Sequence, residues 1–329
     1  MSLIQRRGNT QTDGKYIIVH GSFPLGSFLI SKDYGLTWVK KTETDFPKII
    51  FGRADTNIAV TKTGKAYVTS YRLPISILCL TNGFETLEEI PINNIDNTIG
   101  ITVLGANDTG SIIMVSVMMR YSDFYTLAIS KDYGKTWIHL TGLQSELPIA
   151  KIKMSSSGKY IIVGTGDNSS SSGKVYVSTD GGNSFQLVAT EATRIEGVAI
   201  SGNGNFIFYW RKTLLYRSTD FGKTWSDFSI GGGNGGVTSF DLSNDGKYMI
   251  CTREYMGYVY VSKDYGNSWK DIRMSTYNIP QAAISGSGKK SVAAEGYNIL
   301  LSSDFLESYV LGYHISDRYG QVYSVTMSK

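Results

Sequence analysis

The chain has 329 residues, 41% of them apolar and only 18% charged, with 36 glycines, 22 tyrosines and six prolines. A net charge of +4 spread over scattered basic residues argues against dedicated nucleic-acid binding. No segment keeps a 3.6-residue apolar period beyond two turns, and the longest apolar stretch, residues 112–119, is too short to cross a bilayer, so short strands without membrane insertion are expected.

Taken in chain order, the basic pair Arg6-Arg7 is followed by no apolar run, so no signal peptide is visible. Residues 12–19 (Thr-Asp-Gly-Lys-Tyr-Ile-Ile-Val) read as a Gly turn leading into a strand, and residues 28–31 as a second strand. That strand runs into Ser31-Lys-Asp33-Tyr-Gly35-Leu-Thr37-Trp38. The octapeptide returns at Ser130-Lys-Asp132-Tyr-Gly134-Lys-Thr136-Trp137, Ser178-Thr-Asp180-Gly-Gly182-Asn-Ser184-Phe185, Ser218-Thr-Asp220-Phe-Gly222-Lys-Thr224-Trp225 and Ser262-Lys-Asp264-Tyr-Gly266-Asn-Ser268-Trp269. Ser302-Ser-Asp304-Phe-Leu306-Glu-Ser308-Tyr309 is a copy without its glycine, and a further weak copy surrounds Asn82. The Asp or Asn positions 33, 82, 132, 180, 220, 264 and 304 are separated by 49, 50, 48, 40, 44 and 40 residues. These are the sizes of four-stranded propeller repeats, typically about 40–50 residues.

Each unit also carries an upstream hairpin, as at residues 154–163, 200–208 and 242–251, where a Gly-containing turn precedes alternating apolar residues. A blade therefore reads as strand a, Gly turn, strand b, variable loop, strand c, octapeptide turn, strand d. Residues 322–328 look like a strand a with no strand b after it, whereas residues 12–19 are a strand b with only a weak strand a before it. The fold expected is all-β: one domain over residues 1–329, a seven-bladed β-propeller of four-stranded antiparallel blades, closed by the C-terminal strand entering the first blade, the alternative being that residues 3–8 supply that strand and the tail pairs elsewhere. Cys79 and Cys251 lie in strand-like stretches far apart and read as small buried hydrophobes.

Ser-x-Asp-x-Gly-x-Thr-Trp resembles the Asp box, or BNR repeat, of sialidase-like and sortilin-like propellers. The resemblance covers nearly the whole chain. It implies fold far more than activity, because unrelated activities share the repeat. Asp33, Asp132, Asp180, Asp220, Asp264 and Asp304 are expected to be structural: each carboxylate accepts turn N–H groups, the glycine takes positive φ, and the Trp plugs the space between blades.

Strand alternation places the a–b turns and octapeptides on one face and the b–c and d–a connections on the other. The second face varies in length and content, which is where a rigid scaffold displays binding residues. Tyr71, Arg72, Arg120, Tyr121, Trp210, Arg211, Arg253, Tyr255 and Arg318 are the candidate ligand contacts there, beside His20, Arg194 and Glu196. Aromatic rings next to guanidinium groups suit a glycan, a carboxylated or sulfated one especially, or a protein partner.

The reading favoured is a non-catalytic recognition module for a glycan or protein ligand. A secreted or virion-associated setting fits it better than a cytoplasmic one. A sialidase-like exo-glycosidase is the alternative. Tyr71-Arg72-Leu73-Pro74 resembles that family's Tyr-Arg-Ile-Pro motif, yet it falls between strands b and c of blade two instead of in the first strand of blade one. An intracellular assembly scaffold, resembling the propellers that assist photosystem assembly, is a further alternative. His20, His139, His314 and the two cysteines have no metal-ligand spacing, so neither metal nor cofactor is expected.

Overall fold

Turn-forming residues cut this sequence into strands of three to nine residues, and each run of four forms one antiparallel sheet. The computed structural model describes residues 13–21, 27–47, 49, 57–69, 76–93, 98–119, 125–145, 148–166, 172–231, 235–254, 257–273, 281–295, 297–305, 307–315 and 322–329. They make seven four-stranded sheets, the blades of a propeller. The innermost strands a are Val322–Met327, Ile58–Val60, Thr98–Ala106, Ile149–Met154, Gly197–Ile200, Val237–Leu242 and Ala282–Ile284 for blades one to seven.

The C-terminal strand completes the first blade. It pairs antiparallel with Ile17–Gly21 through Ile17↔Met327, Ile18↔Thr326, Val19↔Val325 and His20↔Ser324. Gly14 N donates to Ser328 O (3.0 Å) and Ser328 N to Tyr16 O (2.9 Å), so the register continues into the turn. Lys329 then reaches sideways, donating from Nζ to Asp241 Oδ1 (2.8 Å) and to the carbonyls of Leu242 (2.7 Å) and Ile284 (2.9 Å). One chain end thereby ties blades one, six and seven together.

Strands b and c are apolar at nearly every position instead of alternating, because both of their faces are covered by neighbouring blades. Ile17–Gly21, Ser76–Thr81 and Ile161–Thr165 are buried throughout, whereas the outer strand Thr86–Pro91 is mostly exposed. The core is accordingly a ring of apolar clusters between adjacent blades. Ile250, Val259 and Val261 of blade six, for example, pack on Ala282, Ile284, Ala293 and Leu300 of blade seven.

A second set of links runs through the a–b turns. Backbone bonds join Lys62 N to Asp108 O, Asp108 N to Ser156 O, Ser156 N to Gly202 O, Asn203 N to Asn244 O and Asn244 N to Gly286 O, each at 2.7–3.3 Å. Asp13 closes the seam from blade seven to blade one by accepting Ser287 N at 2.9 Å and the Ser287 hydroxyl. Aromatic contacts reinforce these links. Tyr160 stacks on Phe221 (centroids 4.7 Å apart) and Phe206 on Tyr265 (5.5 Å), each ring belonging to one blade and its partner to the octapeptide of the next. Such pairs contribute about 0.5–1.5 kcal/mol each beyond their burial. At the last seam Lys290 replaces the aromatic and lies over the Tyr34 ring.

This stacking leaves no room for a side chain on the facing turn. Gly204 has φ +79°, and a Cβ there would lie 2.2 Å from Tyr160 Cδ2. Gly204→Ala is expected to cost about 2–4 kcal/mol from strain and overpacking combined, read as a lowered urea midpoint with an unchanged slope.

Candidate functional site

The octapeptides are built for turning. In blade five Ser218 Oγ donates to Asp220 Oδ1 (2.8 Å) and accepts Gly222 N (2.9 Å), while Asp220 accepts Thr224 N (2.9 Å) and the Thr224 hydroxyl (2.6 Å). The same set recurs at Asp33, Asp132, Asp180, Asp264 and Asp304, apart from the glycine bond at Asp304. Two consecutive residues take positive φ, Phe221 (64°) and Gly222 (86°) among them, so the turn strains a non-glycine residue as well. That residue is the ring that stacks on the preceding blade. Trp38, Trp225 and Trp269 each donate from Nε1 to the box glycine carbonyl and pack between blades. Blade two departs from the pattern. Phe84 occupies the ring position, so Gly83, and not Asn82, stands where the aspartate would be, and Thr81 bonds Thr86 instead.

On the opposite face, Tyr71, Arg72, Arg120, Tyr121, Tyr255 and Arg318 lie outside the described residues. The other three candidates are described, and each is committed to the scaffold. Trp210 lies in strand Ile207–Arg211, only 5% exposed, with Nε1 donating to Val237 O at 3.1 Å. Its ring occupies the space beside Gly197, where a Cβ would come within 1.8 Å of it. It offers almost no free face for a ligand to stack on. Arg211 donates from Nε to Glu191 Oε2 (2.6 Å) and from Nη2 to the Tyr216 hydroxyl (3.3 Å), and Tyr209 donates to Glu191 Oε1 (2.8 Å). This group joins blade four's outer strand to blade five. Arg253 is 5% exposed, its guanidinium 5.5 Å from the centroid of Tyr260. His20, expected in a loop, is buried in strand Ile17–Gly21 with its ring against Phe28. The physical reason is common to all four. Strand b continues past the apolar run, and its polar terminal residues turn into the inter-blade space.

The strands a enclose a central channel, a cavity of about 450 Å³ to which all seven contribute. Its wall carries Asn57, Thr102, Ser239, Gln281, Ser324 and Thr326, with Lys151, Lys153, Glu196, Asp241 and Lys329 as its charged groups. Several of the polar groups bond across seams: Asn57 Nδ2 to Thr102 O (3.0 Å), Ser239 Oγ to Ala282 O (2.9 Å) and Gln281 Nε2 to Thr238 O (3.4 Å). Asp241 is held by Lys329 and by Ile284 N (3.0 Å). Glu196 is held by Lys212 N (2.8 Å) and Arg194 (3.7 Å).

Lys151 and Lys153 are different. Both side chains are exposed to the solvent-accessible lumen, where partial desolvation by the surrounding channel wall and neighbouring positive charge lower their ammonium pKa values below the ordinary 10.5. The pattern-based reading passed over them. The available signal was a pair of lysines inside an otherwise apolar innermost strand, Ile149–Met154.

Among the described residues no three His, Cys, Asp or Glu side chains gather as a metal site would require. Cys79 and Cys251 are free and buried, and burial pushes their thiols up to about 11 and about 12.

Two consequences are measurable. The Thr or Ser hydroxyl, then the backbone amide, holds Asp132, Asp220 and Asp304 down to about 2; at Asp180 burial opposes this and is outweighed, again leaving about 2. A carboxylate with a depressed folded pKa stabilises the fold above the unfolded value, near 3.8, and loses that contribution as pH falls toward about 2. Urea unfolding free energies should therefore drop between about pH 4 and pH 2, with a shallower slope in Asp220→Asn. Trp210→Ala should cost about 3–5 kcal/mol by leaving a core cavity, seen as an earlier urea midpoint, so any loss of binding in that variant would report unfolding.

The BNR-Asp box repeat family matches residues 215–228 and 259–272. Among curated proteins none matches the chain. Among solved structures, the GH74 xyloglucanase from Xanthomonas campestris is similar at TM-score 0.60 and 14% identity, over 88% of this chain and 50% of that one. An ancestral GH74 enzyme is similar at TM-score 0.59 and 15% identity, over 78% of this chain and 38% of that one. The chain thus spans half or less of the length of these two enzymes. YCF48 from Cyanidioschyzon merolae is similar at TM-score 0.57 and 13% identity, over 89% of this chain and 94% of that one. At such identities the likeness is one of fold. Repeat match, blade count and box geometry agree: the protein is a seven-bladed β-propeller with BNR-Asp box repeats.

Proposed function

We propose that this propeller is a non-catalytic recognition module that takes a glycan or protein ligand on the face formed by its b–c and d–a connections. The observation that carries the reading is the inequality of the two faces. One carries turn-to-turn backbone bonds from blade two through blade seven, with stacked aromatics and repeated boxes. The other holds the connections that vary in length and composition, mounted on rigid strands, which is the arrangement binding surfaces use.

Three described carboxylates, two lining the channel and one beside Arg211, favour binding over hydrolysis. Glycoside hydrolysis needs two carboxyl groups about 5–10 Å apart, one of them free to exchange a proton. Glu191, Glu196 and Asp241 are instead each tied to a cation and to a further hydrogen-bond donor. The fold does not choose the ligand, since a xyloglucanase and YCF48 resemble it almost equally. Tyr71, Arg72, Arg120, Tyr121, Tyr255 and Arg318 are the proposed contacts, on the strength of their residue types and their place in these connections.

A glycan array, together with protein capture on the same purified chain, tests the proposal. Saturable binding is expected, weakened tenfold or more in Arg72→Ala/Arg120→Ala with its melting temperature unchanged. Turnover of a fluorogenic sialoside or of xyloglucan by the wild type would overturn the non-catalytic reading. Binding unaffected by the double variant would remove these arginines from the surface.

A further inference from the structure

We propose that Lys151 and Lys153 form a phosphate-binding site inside the central channel. The two lysines alternate along strand a of blade four, so both point from one wall into the same lumen. Among the described residues Lys151 makes no hydrogen bond or ion pair, and the charges that act on it are Lys153 and Arg194, both positive. Lys153 senses one carboxylate, Asp241, which is already bonded to Lys329 and to Ile284 N, and Lys329 repels it. Like charges two residues apart on one face of a strand repel, and an anion held beside them in the lumen relieves that repulsion.

The chemistry of the missing partner follows from the donors. Lysine ammonium groups are compact point charges of the kind that hold phosphate, and two of them match the charge of a phosphate dianion. The far side of the ring, strand a of blade one, adds hydroxyl groups: Ser324 Oγ is buried with no hydrogen-bond partner among the described residues, and Thr326 also lines the lumen. A cavity of about 450 Å³ accommodates the free ion or a small phosphate monoester. The site uses only innermost strands and does not depend on the loop-face ligand.

The test is calorimetric titration of the full chain with inorganic phosphate and, separately, with glycerol 3-phosphate, at ionic strength held constant with chloride. Saturable one-to-one binding is expected, weakened at least tenfold in Lys151→Met and in Lys153→Met. Lys263→Met, on the octapeptide face, should bind as the wild type does. Binding of both ligands marks a site that tolerates an ester, and binding of inorganic phosphate alone marks a site for the free ion; either outcome supports the proposal. Should a methionine variant fail to fold, amine acetylation of the wild type gives the same answer. Phosphate should then slow modification of Lys151 and Lys153 several-fold while leaving Lys263 unaffected. Absence of saturable binding, equal affinity in the folded lysine variants, or no protection would overturn the assignment.

Discussion

A sheet that closes into a ring must place its last edge somewhere, and here it goes inside the first blade. The pairing of Val322–Met327 with Ile17–Gly21 removes two strand edges at once and joins the chain termini. Everything else in the molecule assumes that closure. The inter-blade clusters need a neighbour on both sides, the turn-to-turn bonds need the next turn in place, and the channel exists only when seven inner strands face one axis. Asp13 and Lys329 guard this single non-covalent seam. One accepts from the Ser287 turn, and the other donates to Asp241 and to two carbonyls.

The Asp box is best understood as part of the same seam mechanism. Its carboxylate does not simply close a turn; it holds two successive residues at positive φ, which lifts a Tyr or Phe toward the preceding blade. The ring then meets an aromatic from that blade's strand b, while the following Trp packs in the same inter-blade space from below. Where blade four carries Gly181 at the ring position, the preceding blade presents Ile112 instead of an aromatic. Repeat and seam therefore vary together. A motif read along one blade is a contact made between two.

This accounts for which polar residues are free. Arginine and aromatic residues at the ends of strands b are recruited into the inter-blade space, as Arg211 is with Glu191 and Arg253 with Tyr260. The recognition proposed for the loop face is thereby left to residues beyond the strand ends. In the channel the opposite holds. Several polar groups there bond across seams, whereas the two lysines of blade four are exposed to the lumen.

Much of the fold was legible in the residue string. Seven box or box-like positions at 40–50-residue spacing determine seven blades, and an orphan strand at each end determines how they close. These are local signals: a turn needs its Asp, Gly and Thr within eight residues, so the string alone carries them. The role of each polar side chain was not legible in the same way. Trp210, Arg211 and Arg253 have the composition of a binding loop, but their side chains are claimed by Val237, Glu191 and Tyr260; the first two partners belong to neighbouring blades that only the ring brings alongside. Lys151 and Lys153 look like ordinary surface lysines until seven strands converge around them. Turn chemistry is decided within a few residues, whereas burial and charge compensation are decided by neighbours distant in sequence, and those exist only once the ring has closed.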